Sequence, residues 1–249
     1  MRQRISITFL LISAVLSFST LSASAQEKIF VAVAANYIQA FSELSERYEE
    51  KTNVKIQATF ASTGSLYNQI KSGAPYDLFL AADETRPQLL QEEGLCDKPF
   101  IYARGRVILW SANSDFCKSP DWKDAMKNCN GRIAVANPVT APYGTAALEA
   151  IRKAGLEDLL KDRFVTAQTV AQSFQYAATE AVDAGFCALS AVGSETGQRG
   201  CYYLVPEADP VVQAACVLRR TGSREAVDQF AAFLVSQEAA EIKKRFGYE

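Results

Sequence analysis

The sequence predicts an α/β protein folded as two lobes, and three observations carry that expectation. Short, continuously apolar runs alternate with stretches whose apolar residues recur every three or four positions. That alternation stops at a polar loop between Cys117 and Cys129 and then starts again. Two long extended segments, near Ala103–Val107 and Cys216–Arg220, offer places where the chain can cross between lobes.

Ile29–Ala35 is apolar throughout, as suits a parallel strand covered on both faces. Tyr37, Phe41, Leu44 and Tyr48 follow at spacings of four, three and four, one face of a helix. Val54–Phe60 alternates as a strand and leads through Ala61-Ser62-Thr63-Gly64-Ser65 into a short helix at Leu66–Lys71. Asp77–Ala82 reads as another buried strand, a helix runs on to Glu93, and Ile101–Ala103 and Arg106–Ser111 are extended.

The second series opens with a strand at Arg132–Ala136 and a loop through Asn137–Gly144 that holds two prolines. A helix is predicted over Thr145–Ala154, with Gly155 placed to end it. Phe164–Ala167 is a short strand, Val170, Phe174, Ala177 and Ala181 form a helical stripe, and Gly185–Ser190 is a buried strand. Tyr202–Val205 and Val211–Leu218 are strands, and Val227, Phe230 and Leu234, then Ile242 and Phe246, mark two closing helices. The predicted organisation is a leader at 1–25, a first lobe at 26–104, a second at 105–216, and a return with terminal helices of the first lobe at 217–249. Each lobe is expected to be a mostly parallel sheet flanked by helices, with crossover hinge strands between them.

Composition narrows the function classes. At 49% hydrophobic and 22% charged, the chain is neither disordered nor fibrous. A formal charge of −2 gives no basic footprint, so nucleic acid is not an expected partner. There is no histidine, which removes Ser-His-Asp and Cys-His nucleophiles and His-ligated zinc. There is no G-x-S-x-G, and Asp77 and Asp83 lie at opposite ends of one strand, where capping explains them. An enzyme is not expected, nor a bound cofactor.

Arg2 and Arg4, the apolar run Ile5–Leu16 and the small-residue site Ala23-Ser24-Ala25 have the form of a secretory signal peptide cut after Ala25. The exported chain would begin at Gln26, and with no cysteine beside the cut a lipid anchor is not expected. Six cysteines in an exported chain point to disulfides. Cys117 and Cys129, flanking one polar loop, are the expected pair. Cys96, Cys187, Cys201 and Cys216 are further candidates, with Cys187 equally suited to be a buried thiol in its apolar run.

Four uncharged polar segments sit where strands give way to helices: Asn36, Ser62-Thr63-Gly64-Ser65, Pro142-Tyr143-Gly144 and Gln168-Thr169-Val170. A helix start carries unpaired N–H groups and about half a positive charge, so several converging starts make an anion site without Lys or Arg. Each segment also has an ordinary reading. Asn36, Ser62, Thr63 and Thr169 are common N-cap residues, and Tyr143 is a common packing aromatic.

A set of ordered motifs resembles the molybdate-binding periplasmic proteins that feed ABC importers, within the type II periplasmic binding fold. The motifs are V-A-V-A-A-N at Val31–Asn36, F-A-S-T-G-S-L at Phe60–Leu66, G-A-P-Y-D-L-F-L-A-A-D at Gly73–Asp83 and Y-A-R-G-R-V-I-L-W-S at Tyr102–Ser111. They continue with A-N-P-V-T-A-P-Y-G at Ala136–Gly144, G-F-C-A-L-S at Gly185–Ser190 and the ending R-F-G-Y at Arg245–Tyr248. The resemblance implies a periplasmic monomer whose partners are molybdate or tungstate and a membrane permease. It implies ligand contacts from Ala35, Asn36, Ser62, Thr63 and Ala82 in the first lobe, and from Tyr143 and the Val170 backbone N–H in the second. The chain has Asn at position 36 and Ser at 190, where another branch has Ser and Tyr, which leaves a ligand role for Ser190 open. Fully deprotonated tetrahedral dianions only accept hydrogen bonds, which neutral donors can satisfy without an ion pair's desolvation cost. The runner-up is the same fold holding another oxyanion such as sulfate, which differs from molybdate mainly in size.

Overall fold

A computed structural model describes residues 27–249, so the expected leader at 1–25 lies outside the described residues. The first lobe opens with β1 (Lys28–Ala34), a 3-10 turn at Ala35–Tyr37 and α1 (Ile38–Thr52). β2 (Lys55–Ala61), α2 (Thr63–Lys71), β3 (Leu78–Leu80), α3 (Thr85–Glu92) and β4 (Phe100–Gly105) follow. The second lobe contains β5 (Val107–Ser111), α4 (Trp122–Asn128), β6 (Ile133–Ala136), α5 (Pro142–Lys153) and α6 (Glu157–Leu160). It continues with β7 (Phe164–Ala167), α7 (Val170–Ala178), β8 (Ala184–Ala188), α8 (Glu195–Arg199) and β9 (Cys201–Leu204). β10 (Val211–Val217) then rejoins the first lobe, which α9 (Arg224–Leu234) and α10 (Gln237–Arg245) cover.

The two sheets repeat one plan. The first has strand order β2-β1-β3-β10-β4, the second β7-β6-β8-β5-β9. In the first, β2, β1 and β3 are parallel and β10 runs against both β3 and β4. In the second, β7, β6 and β8 are parallel and β5 runs against both β8 and β9. Each sheet is therefore mixed, with its one reversed strand adjoining a crossover. That repeat of order is not visible as a repeat of sequence.

Strand pairing moves both predicted boundaries of the second lobe. The expected second lobe, 105–216, takes in Gly105 and Val211–Cys216, yet Gly105 pairs with Val211 and Cys216 with Phe79 in the first sheet. The return crossing lies at residues 205–210, before β10, where Pro206 and Pro210 interrupt the apolar pattern. The outward crossing is shorter still, since only Arg106 separates β4 from β5.

The apolar stripes become the core. Phe41, Leu44 and Tyr48 of α1 are buried against α9, with Phe41 and Tyr48 meeting Phe230 edge-on at ring separations of 6.1 and 4.9 Å. Complete burial of Phe230 contributes about 1.5–3 kcal/mol. α1 stops at Asn53, whose left-handed φ of 58° lets its N–H reach Glu49 O at 2.8 Å. In the second lobe Trp122 packs on Phe186 and Trp110 on Phe174. Their indole N–H groups donate to Glu207 Oε2 and Gly197 O, so neither is buried unpaired.

The cysteine expectation is corrected. Cys117 is bonded to Cys201, with Cα atoms 6.1 Å apart, and Cys129 is a free thiol. β9 returns alongside β5 with Cys201 opposite Ser111, and the 3-10 turn at Ser114–Lys118 brings Cys117 back over that edge. Cys129 instead follows α4 on the far side of the loop. Loop length pointed to the near neighbour; the sheet supplied a distant one. Cys96, Cys187 and Cys216 are buried free thiols, and burial pushes the Cys187 thiol well above the usual range. Non-reducing peptide mapping is expected to recover a Cys117–Cys201 fragment; a Cys117–Cys129 fragment would contradict the pairing.

Candidate functional site

Four chain segments end a parallel strand and start a helix at one place between the lobes. β1 runs into the turn at Ala35–Tyr37, and β2 passes through Ser62 into α2 at Thr63. β6 leads by a short loop to α5 at Pro142, and β7 passes through Thr169 into α7 at Val170. All seven residues singled out in the sequence line the same cavity: Ala35, Asn36, Ser62, Thr63 and Ala82 from the first lobe, Tyr143 and Val170 from the second. The cavity measures about 10 Å³, and Ala34, Ala141 and Pro142 complete its wall. None of these ten residues is charged.

The helix starts are open toward it. Only α7 has a side-chain cap, Thr169 Oγ1 accepting from Gln172 N at 3.0 Å. Ser62 stands at the N-cap of α2 without capping it; its hydroxyl pairs with that of Ser65 at 2.8 Å. Ala141, at the N-cap of α5, has no side-chain acceptor to give. Thr63, Tyr143 and Val170 each lie in the first turn, where a backbone N–H has no intrahelical partner. Thr63 Oγ1 accepts from Ala82 N at 3.0 Å, which leaves its own proton to donate. Ala82 thus acts on the cavity through Thr63, because its N–H is already engaged.

The lobes touch across the cleft at the same point. Gly64 N donates to Thr140 O at 2.8 Å, and Arg86, paired with Asp83, donates to Val139 O. A Cβ on residue 64 would stand 2.9 Å from Thr140 Cα, so this closeness requires glycine. Thr140 Oγ1 is buried at this contact with no hydrogen-bond partner among the described residues.

Behind the cavity lies a buried polar network that the sequence did not reveal. Asn36 Nδ2 donates to Gln213 Oε1 at 2.8 Å and to Tyr248 Oη at 3.0 Å, which uses both amide hydrogens. Its side-chain amide is therefore part of the network. Gln213 Oε1 also accepts from Tyr102 Oη at 3.0 Å, and Gln213 Nε2 donates to Tyr143 Oη at 3.3 Å. Asn36 O accepts from Tyr248 Oη and from Ser190 Oγ, both at 2.7 Å. Ser190 is thus a structural link and lines a neighbouring groove of about 260 Å³, not this cavity. The Tyr143 hydroxyl rests on the hinge at Gly105, where a Cβ would meet it at 2.0 Å.

Burial pushes the hydroxyls of Tyr37, Tyr102 and Tyr143 well above the ordinary tyrosine range, and that of Tyr248 to about 12. The network stays neutral and keeps its protons through the physiological range. The one sequence signal for it was Gln213, a lone amide inside the apolar strand Val211–Val217. Tyr248 stands inside the tail motif, and reciprocal backbone bonds between Glu249 and Arg104 hold that tail along β4.

Comparison with known proteins agrees with this architecture. Residues 29–249 match the family described as bacterial extracellular solute-binding protein. The molybdate-binding protein ModA of Azotobacter vinelandii is 36% identical, covering 89% of each chain. That of Rhodobacter capsulatus is 35% identical over 90% of this chain and 89% of its own. The solved Azotobacter vinelandii periplasmic molybdate-binding protein superposes with a TM-score of 0.84 at 30% identity, covering 89% of this chain and 98% of that one. The chain belongs to the bacterial extracellular solute-binding proteins, a transport family and not an enzyme family, among relatives named for binding molybdate.

Proposed function

We propose that this protein captures molybdate, and tungstate with it, between its lobes in the periplasm and delivers the ion to the permease of an ABC importer. The observation that carries the reading is the lining of the cavity: uncharged donors from both lobes, with no acidic or basic side chain. Molybdate and tungstate present only acceptor oxygens at neutral pH. Hydrogen phosphate carries a proton that needs an acceptor, and no carboxylate lines the wall. With only about 10 Å³ free, this reading has the lobes part to admit and release the ion. Secretion with cleavage after Ala25 accords with this role, and the bound form acts as a monomer.

Calorimetry and thermal unfolding with molybdate, tungstate, sulfate and phosphate test the reading. At 100 times its dissociation constant a ligand adds about 2.7 kcal/mol, which raises Tm by about 5 °C or more in a chain of this size. Molybdate and tungstate are expected to do so and phosphate is not. A larger response to sulfate would reassign the ligand, and no response to any of the four would remove the reading.

Thr63→Ala deletes a hydrogen bond to a charged ligand, worth about 1.5–3 kcal/mol, and is expected to weaken binding about ten- to a hundredfold. Gly64→Ala is expected to weaken it as well by propping the lobes apart, while the Tm of the ligand-free protein changes little because alanine suits a helix. Titration calorimetry on both variants checks this, and unchanged affinity in either would contradict the assigned role. Affinity should also stay constant from pH 6 to 8. The tyrosine hydroxyls titrate above that range, since burial raises them, and no lining side chain ionises within it. A steep change of affinity across that interval would contradict a site made of neutral donors.

A further inference from the structure

We propose, resting on the oxyanion reading above, that Gln213 is the positioning residue that holds the two halves of the cavity in register without touching the ligand. It lies in β10, the strand that rejoins the first lobe after the return crossing, and it is fully buried. Its amide accepts from Asn36 and Tyr102 of the first lobe and donates to Tyr143 of the second. Asn36 of the first lobe and Tyr143 of the second both line the cavity, whereas Gln213 is not among the lining residues. One amide therefore joins the first-lobe turn at Ala35–Tyr37 to the start of α5, and does so at the hinge, beside Gly105. The β-bulge between Gln213 and Ala214 sits at this point in the pairing with β4.

The chemistry demands an amide. One end must accept from an amide N–H and a phenol, and the other must donate to a phenol oxygen. Leucine can do neither. A protonated glutamic acid has one carbonyl acceptor and one O–H donor and reproduces the pattern. An ionised glutamate cannot donate to Tyr143, and it buries a negative charge behind an anion site. The groups facing this position are Tyr102 on β4, Tyr143 on α5, Tyr37 and Asn36 at the first turn, and Tyr248 in the tail. Asp83 approaches from the β3–α3 loop, its carbonyl accepting from Ala214 N, and Lys243 of α10 donates to Tyr102 O.

The test compares wild type, Gln213→Leu and Gln213→Glu by calorimetry with molybdate from pH 5.5 to 9, with dissociation rates from stopped-flow competition. Gln213→Leu is expected to weaken binding at least tenfold, mainly through faster release, since the lobes still meet the ion but no longer lock in register. Gln213→Glu is expected to bind within a few fold of wild type at pH 5.5 and to lose at least tenfold by pH 9, while wild type stays flat. This pH-dependent rescue keeps the test valid where the leucine variant fails to fold. Leucine at wild-type affinity, or glutamate equally weak at both ends of the range, would overturn the inference while leaving the ligand assignment standing. A wild-type protein that binds no oxyanion would overturn the oxyanion reading, and this inference with it.

Discussion

An unpaired backbone N–H at the start of a helix is the constraint on which the rest of this structure depends. Such a group costs free energy when buried unless an acceptor reaches it. α2, α5 and α7 all begin at the buried cleft, and only α7 offers a side-chain cap. Alanine at the N-cap of α5 and a serine turned toward Ser65 at that of α2 leave donors for an acceptor from outside the chain. In the proposed function that acceptor is the oxyanion. Its charge is then spread over several peptide dipoles, and no fixed cation has to be desolvated with it. The same choice of donors explains why the wall carries no acidic or basic side chain.

Bringing those helix starts together is a task for the sheets. In each lobe parallel strands deliver their carboxyl ends to one edge, and a single reversed strand, β10 or β5, adjoins the crossing between lobes. The crossings are short: Arg106 alone on the way out and residues 205–210 on the return. Two kinds of contact define the closed arrangement. At the mouth, Gly64 N and Arg86 reach the second lobe's loop backbone. At the hinge, buried tyrosines and amides cross from one lobe to the other. The buried Thr140 hydroxyl at the mouth has no hydrogen-bond partner among the described residues.

Much of this was legible in the sequence because it rests on local patterns. Continuous apolar runs marked the strands, and the stripe through Tyr37, Phe41, Leu44 and Tyr48 marked α1. Uncharged segments at strand ends and the family resemblance together pointed to seven residues that line the cavity, while Ala34, Ala141 and Pro142 of its wall were not among them. What stayed hidden depends on pairing between distant segments. The Cys117–Cys201 bond needs β9 to lie beside β5, and 84 residues of chain separate the two cysteines. Strand β10 reads as apolar whichever sheet it joins, so its lobe is decided by its neighbours and not by its composition. The Asn36 side chain likewise faces Gln213 and Tyr248, at separations of 177 and 212 residues. No local signal says whether an asparagine at a helix start will point to a ligand or to a network behind it.

In the proposed function, first-turn backbone donors of both lobes hold the ion and no charged side chain does. A crystal structure of the molybdate complex, with the metal located by its anomalous scattering, tests this most directly. The account predicts one strong peak between the lobes, with its oxygens within hydrogen-bond distance of the N–H groups of Thr63, Tyr143 and Val170 and of the Thr63 hydroxyl. A peak on Arg86 or another cationic side chain, or one held by a single lobe, would contradict it.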